Sequence, residues 1–291
     1  MHPFALESAG DADDRALAEA ARGGDRAALD ALIGRHQRWI YNIVRRMTYN
    51  PADAEDATQE ILIKVVTRLS AFEARSSFRT WLYRIVVNHV LNMRRGRSEA
   101  HELTFVKYEK ALHDTPDADL PDTRLTPADT MLLVEESRVA CTTAMLLCLD
   151  REQRLVIILG EVLDISATVA AELLEISADS FRQKLTRARR DLYSFLHGKC
   201  GLVDKANPCR CAKKTSGFIK AGYVNPAQPA FLSTRVEHIR GVAPGTLHAL
   251  RDLDDGYGEI FREHPFLESP DFVGAMRALI DAKRFRVVLD T

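Results

Sequence analysis

From Asp25 onward the apolar positions recur at intervals of three and four, the period of a helix with one buried stripe. Leu29, Leu32, Ile33, His36, Trp39, Ile40, Ile43, Val44 and Met47 mark the inner side of a long helix capped by Asp25. A short alanine-rich helix over Asp11 to Arg22, read as frayed, precedes it and stops at Gly23-Gly24. Asn50 is a suitable N-cap and Pro51 a suitable first helical residue. They open a second long helix, with Ala57, Ile61, Leu62, Val65, Val66 and Leu69 inward. A third, over Ser77 to Arg95, buries Phe78, Trp81, Leu82, Ile85, Val86, His89, Val90 and Met93. The period then fails: HDTPDADLPDTRLTPAD, within Ser98 to Asp129, reads as an acidic linker. Helical spacing resumes in four segments, Met131 to Leu149, Asp150 or Arg151 to Gly160, Ser166 to Leu174 and Asp179 to Leu196. A turn at Ile176-Ser177 separates the last two.

The expected fold is all-α: a three-helix body over residues 25–97, a linker over 98–129, a second helical body over 130–197 and a mostly helical extension over 198–291. Residues 1–24 form a tail with a short helix. In the extension NPAQPAF reads as loop. Two amphipathic helices, roughly Pro244 to His264 and Ser269 to Lys283, carry Leu247, Leu250, Leu253, Tyr257, Ile260, Phe261, Phe272, Met276 and Leu279. That stripe is expected to pack on its own chain.

Three patches of side chains remain after the stripes are assigned. Asp53, Glu55, Asp56, Gln59 and Glu60 continue down the outer face of the second helix. Helix capping accounts for Asp53, but the other acids suit a docking face. The loop from Phe72 to Ser77 and the next helix hold aromatics beside Arg75, Arg79, Arg84, Asn88, Asn92, Arg94, Arg95 and Arg97. Unpaired bases stack on rings while guanidinium groups hold phosphates, so this composition suits an opened nucleic-acid strand. The short helix, turn and longer basic helix at Ser166 to Leu196 have the form of a helix-turn-helix. Arg182, Gln183, Lys184, Arg187 and Arg190 face outward there, and Ser177 is a cap that places amides near a phosphate.

DAEDATQE followed by FEARSSFRTWLYRIVVNHVLNMRR resembles region two of the sigma-70 family of bacterial transcription initiation factors, in particular the extracytoplasmic-function group. LDREQRLVIILGEVLDISATVAAELLEISADSFRQKLTRARRDLYSFL resembles sigma region four. Glu175 stands where that family often has a turn glycine, and Asp164-Ile165-Ser166 replaces a commoner Gly-Leu-Ser; a non-glycine is tolerable if it need not adopt positive φ. The resemblance covers Asp25 to His197 and implies a non-catalytic subunit that binds core RNA polymerase and promoter DNA. By it, Asp53, Glu55, Asp56, Gln59 and Glu60 dock on the coiled-coil clamp of the largest polymerase subunit. Phe72, Arg75, Ser77, Phe78, Arg79, Trp81, Arg84, Asn88, Asn92, Arg94 and Arg95 serve the minus-ten element. Ser177, Asp179, Ser180, Arg182, Gln183, Lys184, Arg187 and Arg190 serve the minus-thirty-five element. The linker is expected to thread near the polymerase cleft, where Asp114, Asp117, Asp119 and Asp122 would mimic nucleic acid. An anti-sigma factor is a further candidate partner.

The formal charge of −1 argues for segregated basic and acidic surfaces instead of a wholly basic DNA-binding body. No apolar run reaches signal-peptide or membrane-span length, and five cysteines without such a signal argue against a disulfide framework, so the expected location is the cytoplasm. No nucleophile-base pair or phosphate-binding glycine loop appears, so no enzyme activity is expected. In the extension, His197, Cys200, Cys209 and Cys211 are candidate zinc ligands, with a thiol redox sensor and role-free cysteines as rivals. Cys141 and Cys148 read as core. Two other functions fit the chemistry: a helix-turn-helix regulator working without polymerase, and a zinc or redox switch with DNA binding as output. The extension is expected to regulate.

Overall fold

A computed structural model describes residues 9–94, 103–120, 127–231, 257–262 and 264–282. In chain order the helices are α1 (Ala9–Arg22), α2 (Arg26–Thr48), α3 (Pro51–Arg68), α4 (Phe78–Asn92), α5 (Phe105–Asp114), α6 (Pro127–Leu146), α7 (Arg151–Ile157), α8 (Ala167–Leu174), α9 (Ala178–Lys199), α10 (Cys211–Lys220), α11 (Tyr257–Arg262) and α12 (Phe272–Asp281). The fold is all-α, and no strand occurs among the described residues. The chain divides into two units. One comprises Met1–Ser98, Ile158–Gln183 and Glu268–Thr291; the other comprises Glu99–Ile157 and Lys184–Leu267.

In the first unit the expected caps form. The Asp25 carboxylate accepts from the amides of Ala27 and Ala28, and the Asn50 side chain from those of Ala52 and Asp53. Ser77 accepts from the Thr80 amide and opens α4. Leu32, Ile33, Ile40 and Val44 of α2, Ile61, Leu62 and Val65 of α3, and Leu82, Val86 and Val90 of α4 are buried together as one core. Helix α4 stops at Asn92, short of the expected Arg95, because Met93 turns extended; Arg95 and Arg97 lie outside the described residues.

Helix α1 is not the frayed tail its alanine content suggests. It packs on α2 and α4, and Asp14 is fully buried. The Asp14 carboxylate accepts from Arg79 Nε at 2.7 Å and Arg35 Nη1 at 2.9 Å, and His36 Nε2 lies 3.2 Å away. Burial alone would raise its pKa. The contacts to His36, Arg79 and Arg35 outweigh that and hold the carboxyl well below the usual range.

Helix α12, from the extension, also joins this unit and runs antiparallel along α2. Asp281 meets Arg26 at 2.6 Å, Arg277 meets Asp30 at 2.6 Å, and Glu268, just before α12, meets Arg38 at 2.7 Å. Phe272 packs on Tyr41 with ring centroids 6.0 Å apart, and Met276 is fully buried. The expectation that this stripe packs on its own chain holds for Phe272 and Met276; Leu247, Leu250 and Leu253 lie outside the described residues.

The second unit corrects the linker. Part of it is helix α5, capped by Thr104, with Phe105 and Tyr108 stacked on Phe195 at 5.0 and 6.0 Å. Beyond α5, Asp117 meets Lys214 at 3.0 Å, Asp119 meets Lys213 at 2.6 Å, and the Ala118 amide donates to the Lys213 carbonyl. Asp114 pairs with Lys110 on α5 itself, and Asp122 lies outside the described residues. In place of the missing apolar period the segment uses two aromatics of its own against Phe195, and a lysine pair contributed from α10.

Helix α6 ends at Leu146, before the expected Leu149. Buried Arg154 donates from Nε to the Leu146 carbonyl and from Nη2 to the Leu149 carbonyl, satisfying the open helix end. A π-helical turn, Ile158–Val162, follows α7. Buried Glu136 accepts from the amides of Ala230 and Phe231, which fixes the NPAQPAF loop on α6.

Candidate nucleic-acid interface

Between α3 and α4 lies a groove of about 450 Å³. Trp81, Arg84, Asn88 and Asn92 line it as expected; Lys64 and Arg68 of α3 also line it and were not anticipated. Their one legible signal was the four-residue spacing of two cations on a helix whose acids lie at its other end. At the groove wall His89 is neutral at physiological pH. Burial, with Lys64 beside it, lowers its pKa to about 4, and Lys64 Nζ donates to Nδ1 at 2.7 Å. Glu60 lies 3.6 Å from Nε2 of this ring. A flat ring, three cations and two amides along one groove can stack a base, hold its phosphates and read its edge.

Several expected contacts prove to be struts beneath this surface. Phe72 and Phe78 are 2% and 1% exposed. Their rings meet edge to face at 5.4 Å, and both tilt against Trp81 at 5.4 and 5.5 Å. They are the platform under Trp81, and the base-capturing role expected for their rings is corrected accordingly. Arg79 is also buried: its Nε binds Asp14 and lies 3.3 Å from Asp11, so it ties α4 to α1 and is not presented to DNA. Ser77 serves as a cap. Arg75, paired with Glu73, and Arg94 are exposed. Arg84 donates to the Glu172 carbonyl at 3.1 Å, with the Glu172 carboxylate at 3.6 Å, so α8 engages this groove residue.

On α3 the acids occupy the first turns after Asn50. Glu55, Asp56 and Glu60 are exposed, while Asp53 and Gln59 are half-buried. Tyr41, the residue against which Phe272 of α12 packs, lies close enough to Glu55 for that carboxylate to help raise the phenol's pKa, after burial as the main cause. Helix α12 also touches α3, the helix that carries the acids.

The helix-turn-helix forms as expected from α8, the turn at 175–177 and α9. Ser166 caps α8 and Ser177 caps α9, accepting from the Ser180 amide at 3.1 Å. Phe181, Leu185, Ala188 and Leu192 are buried. Arg182, Gln183, Arg187 and Arg190 are exposed, as is Asp179, which pairs with Arg182; Ser180 is half-buried. Lys184 is half-buried and meets Glu152 at 2.8 Å. Glu175 and Asp164 both adopt left-handed backbone, with φ of 55° and 50°. The condition under which non-glycine residues would be unstrained here is therefore not met.

The expected zinc set does not assemble as written. His197 is exposed, Cys200 is buried, and Cys209 and Cys211 are half-buried. Among the described residues no group of three or more His, Cys, Asp or Glu side chains stands at metal-ligand spacing. Burial raises the thiol pKa of Cys200, Cys209 and Cys211, the last to about 12, which disfavours a reactive thiolate sensor. No helix among the described residues is long and apolar enough to cross a membrane.

A cationic groove and a helix-turn-helix in an all-α fold are surfaces that suit a DNA-binding transcription protein. Residues 32–99 match the Sigma-70 region 2 family. The RNA polymerase sigma factor NccH of Alcaligenes xylosoxydans xylosoxydans is 31% identical over 183 residues, covering 63% of this chain and 94% of that protein. The ECF RNA polymerase sigma-E factor of Haemophilus influenzae is 29% identical, covering 60% and 91%, and SigM of Mycobacterium tuberculosis 28%, covering 63% and 84%. A solved structure of CnrH in complex with the cytosolic domain of CnrY matches with 24% identity and a TM-score of 0.43, over 64% of this chain and 98% of that one. The chain belongs to the extracytoplasmic-function group of the sigma-70 family, and it acts as a sigma factor directing transcription initiation.

Proposed function

We propose that the α3–α4 groove holds the opened minus-ten strand while the α3 acids grip core polymerase and α9 reads the minus-thirty-five element. The groove carries this reading, because Trp81, Arg84, Asn88, Asn92, Lys64 and Arg68 line one concave surface. Melting costs a few kcal/mol per unstacked base, and stacking on Trp81 with phosphate contacts to the three cations would offset it only after opening. In this reading Phe72, Phe78 and Arg79 fix the platform and do not touch the base. A regulator that works without polymerase has no use for an exposed acidic face at Glu55, Asp56 and Glu60, which favours the sigma reading of that surface.

The extension would regulate through α12. It packs along α2 and also touches α3, the helix that carries the acids, and the two engagements would therefore compete. The test is a core-polymerase pull-down with Asp56→Lys/Glu60→Lys. Binding should be lost while the circular-dichroism spectrum is kept; undiminished binding removes the docking assignment. For the groove, a fluorescent base analogue in the minus-ten strand should stay quenched in the complex when Asn88 and Trp81 are both changed to Ala. Normal opening by that variant would overturn the groove's role.

A further inference from the structure

The structure assigns a binding site for one thiophilic divalent cation, of the zinc class, to Cys141, Cys200, Cys209 and Cys211. All four line a single small cavity of about 20 Å³ in the second unit. Cys141 comes from α6, Cys200 from the end of α9, Cys209 from the loop and Cys211 from the first residue of α10. Three elements and one loop thus border one cavity, with the four sulfurs standing wider than ligand spacing, so that they must turn inward to close on an ion. A cavity of that size holds about one small particle, and a water there would need two to four polar partners. Thiols among apolar side chains such as Met145 and Phe195 suit a soft cation better.

Hydrogen-bond donors and cations surround the sulfurs. The backbone amides of Leu202 and Val203 donate to the Cys200 sulfur, as amides around a metal-bound thiolate do. Tyr108 Oη donates to the Cys141 sulfur at 3.1 Å. The loop between Cys200 and Cys209 is held tightly. Asn207 Nδ2 donates to the carbonyls of His197 and Cys200, and Arg210 donates to the Cys209 and Lys205 carbonyls. Gly201 packs so closely on the Cys209 carbonyl that a Cβ there would come within 2.1 Å of it. Arg138, Arg210 and Lys214 supply positive charge around the sulfurs, which four thiolates and one divalent ion, net −2, require.

Burial keeps these thiols protonated, and ionising them together would set Cys141 against Cys211, Cys200 and Cys209, and Cys211 against Cys200 and Cys209. A bound dication removes that repulsion. Each cysteine has one side-chain torsion with three staggered wells, so closing four sulfurs on an ion is a matter of rotamers. Binding takes up one M²⁺ and releases four thiol protons. The site would staple the extension to α6, and Cys141 takes the place that the sequence pattern offered to His197.

The test uses the full chain, purified under reducing conditions without chelator and then loaded with Co²⁺ as a spectroscopic probe. About one ion per chain is expected, with sulfur-to-metal charge-transfer bands of tetrahedral thiolate ligation. Affinity should fall at least tenfold in Cys141→Ser, Cys200→Ser, Cys209→Ser and Cys211→Ser, and stay unchanged in His197→Ala and Cys148→Ser. No ion in the wild type, wild-type affinity in Cys141→Ser, or loss in His197→Ala would each overturn the site. If a Ser variant fails to fold, zinc protection of the wild-type thiols from maleimide decides instead. Protection of Cys141 together with the other three supports the site, and labelling of Cys141 unchanged by zinc overturns it.

Discussion

Replacing Asp14 by Asn should destabilise the α1–α4 core by about 3 kcal/mol, and by Ala about 5 kcal/mol. The side chain is fully buried, and its nearest partner, Arg79, is 9% exposed. Removing one partner of such a pair leaves a guanidinium in a poor solvent environment. Asn keeps one acceptor oxygen and the shape, hence the smaller loss. The Arg35 pair adds little, because that side chain is 42% exposed and solvent screens it. Asp11, at 3.3 Å from Arg79 Nε, is a second carboxylate that still faces the guanidinium and limits the loss. Urea denaturation read by tryptophan fluorescence measures the change, since Trp39 and Trp81 both lie in this unit. Arg79→Met alone should cost a similar amount, and the double variant less than the sum of the two. The pH dependence has a definite sign. The folded carboxyl titrates far below its unfolded value near 3.9, so its stabilisation is complete above about pH 4 and fades as pH falls below that. A loss under 1 kcal/mol for Asp14→Asn, or a strictly additive double variant, would refute the strut and return Arg79 to the DNA-binding surface.

His89 acts in a higher window. Its folded pKa of about 4 lies below the unfolded 6.5, so stability should fall by about 3 kcal/mol as pH drops from 6.5 to 4, and His89→Leu should flatten that slope in a pH series of melts. Glu175→Gly relieves a left-handed residue and should stabilise the helix-turn-helix by about 1 kcal/mol, measured by thermal unfolding; destabilisation would mean its carboxylate is needed against Arg84. Phe272→Ala should release α12 at a cost of about 3 kcal/mol, seen as faster amide exchange over 272–281, and should tighten core-polymerase binding. Unchanged exchange there would mean that the ion pairs to Arg26, Asp30 and Arg38 hold α12 by themselves.

The helices of the first body were legible because each carries its own boundary and stripe. Asn50, Ser77 and Asp25 cap where their side chains lead one to expect, since a cap is a local event within three residues. Likewise, two positions where the family favours glycine coincide with the left-handed residues Glu175 and Asp164, so the departure in sequence located the strain in space. What could not be read locally was long-range pairing. Asp11 and Asp14 look like solvated acids on an alanine-rich segment until Arg79, 65 residues from Asp14, is placed against them. The acidic linker looks structureless because its partners, Phe195, Lys213 and Lys214, come from elsewhere in the chain.

The same distinction explains which site residues survived. A periodic pattern identifies the outward positions of one helix but not whether a second helix covers them. Trp81, Arg84, Asn88 and Asn92 stay on the groove, whereas Phe72 and Phe78 support Trp81 from below and Arg79 is claimed by α1. Lys64 and Arg68 are hidden in the sequence because the acids dominate the outer face of α3, and a groove needs both its walls. Cys141 was hidden for the complementary reason: a thiol inside an apolar stripe satisfies core packing by itself. Only the approach of Cys200, Cys209 and Cys211 from beyond the second helical body gives it a chemical neighbourhood. Residues that meet a family pattern and residues that meet one another are thus different sets, and the extension's chemistry lies in the second.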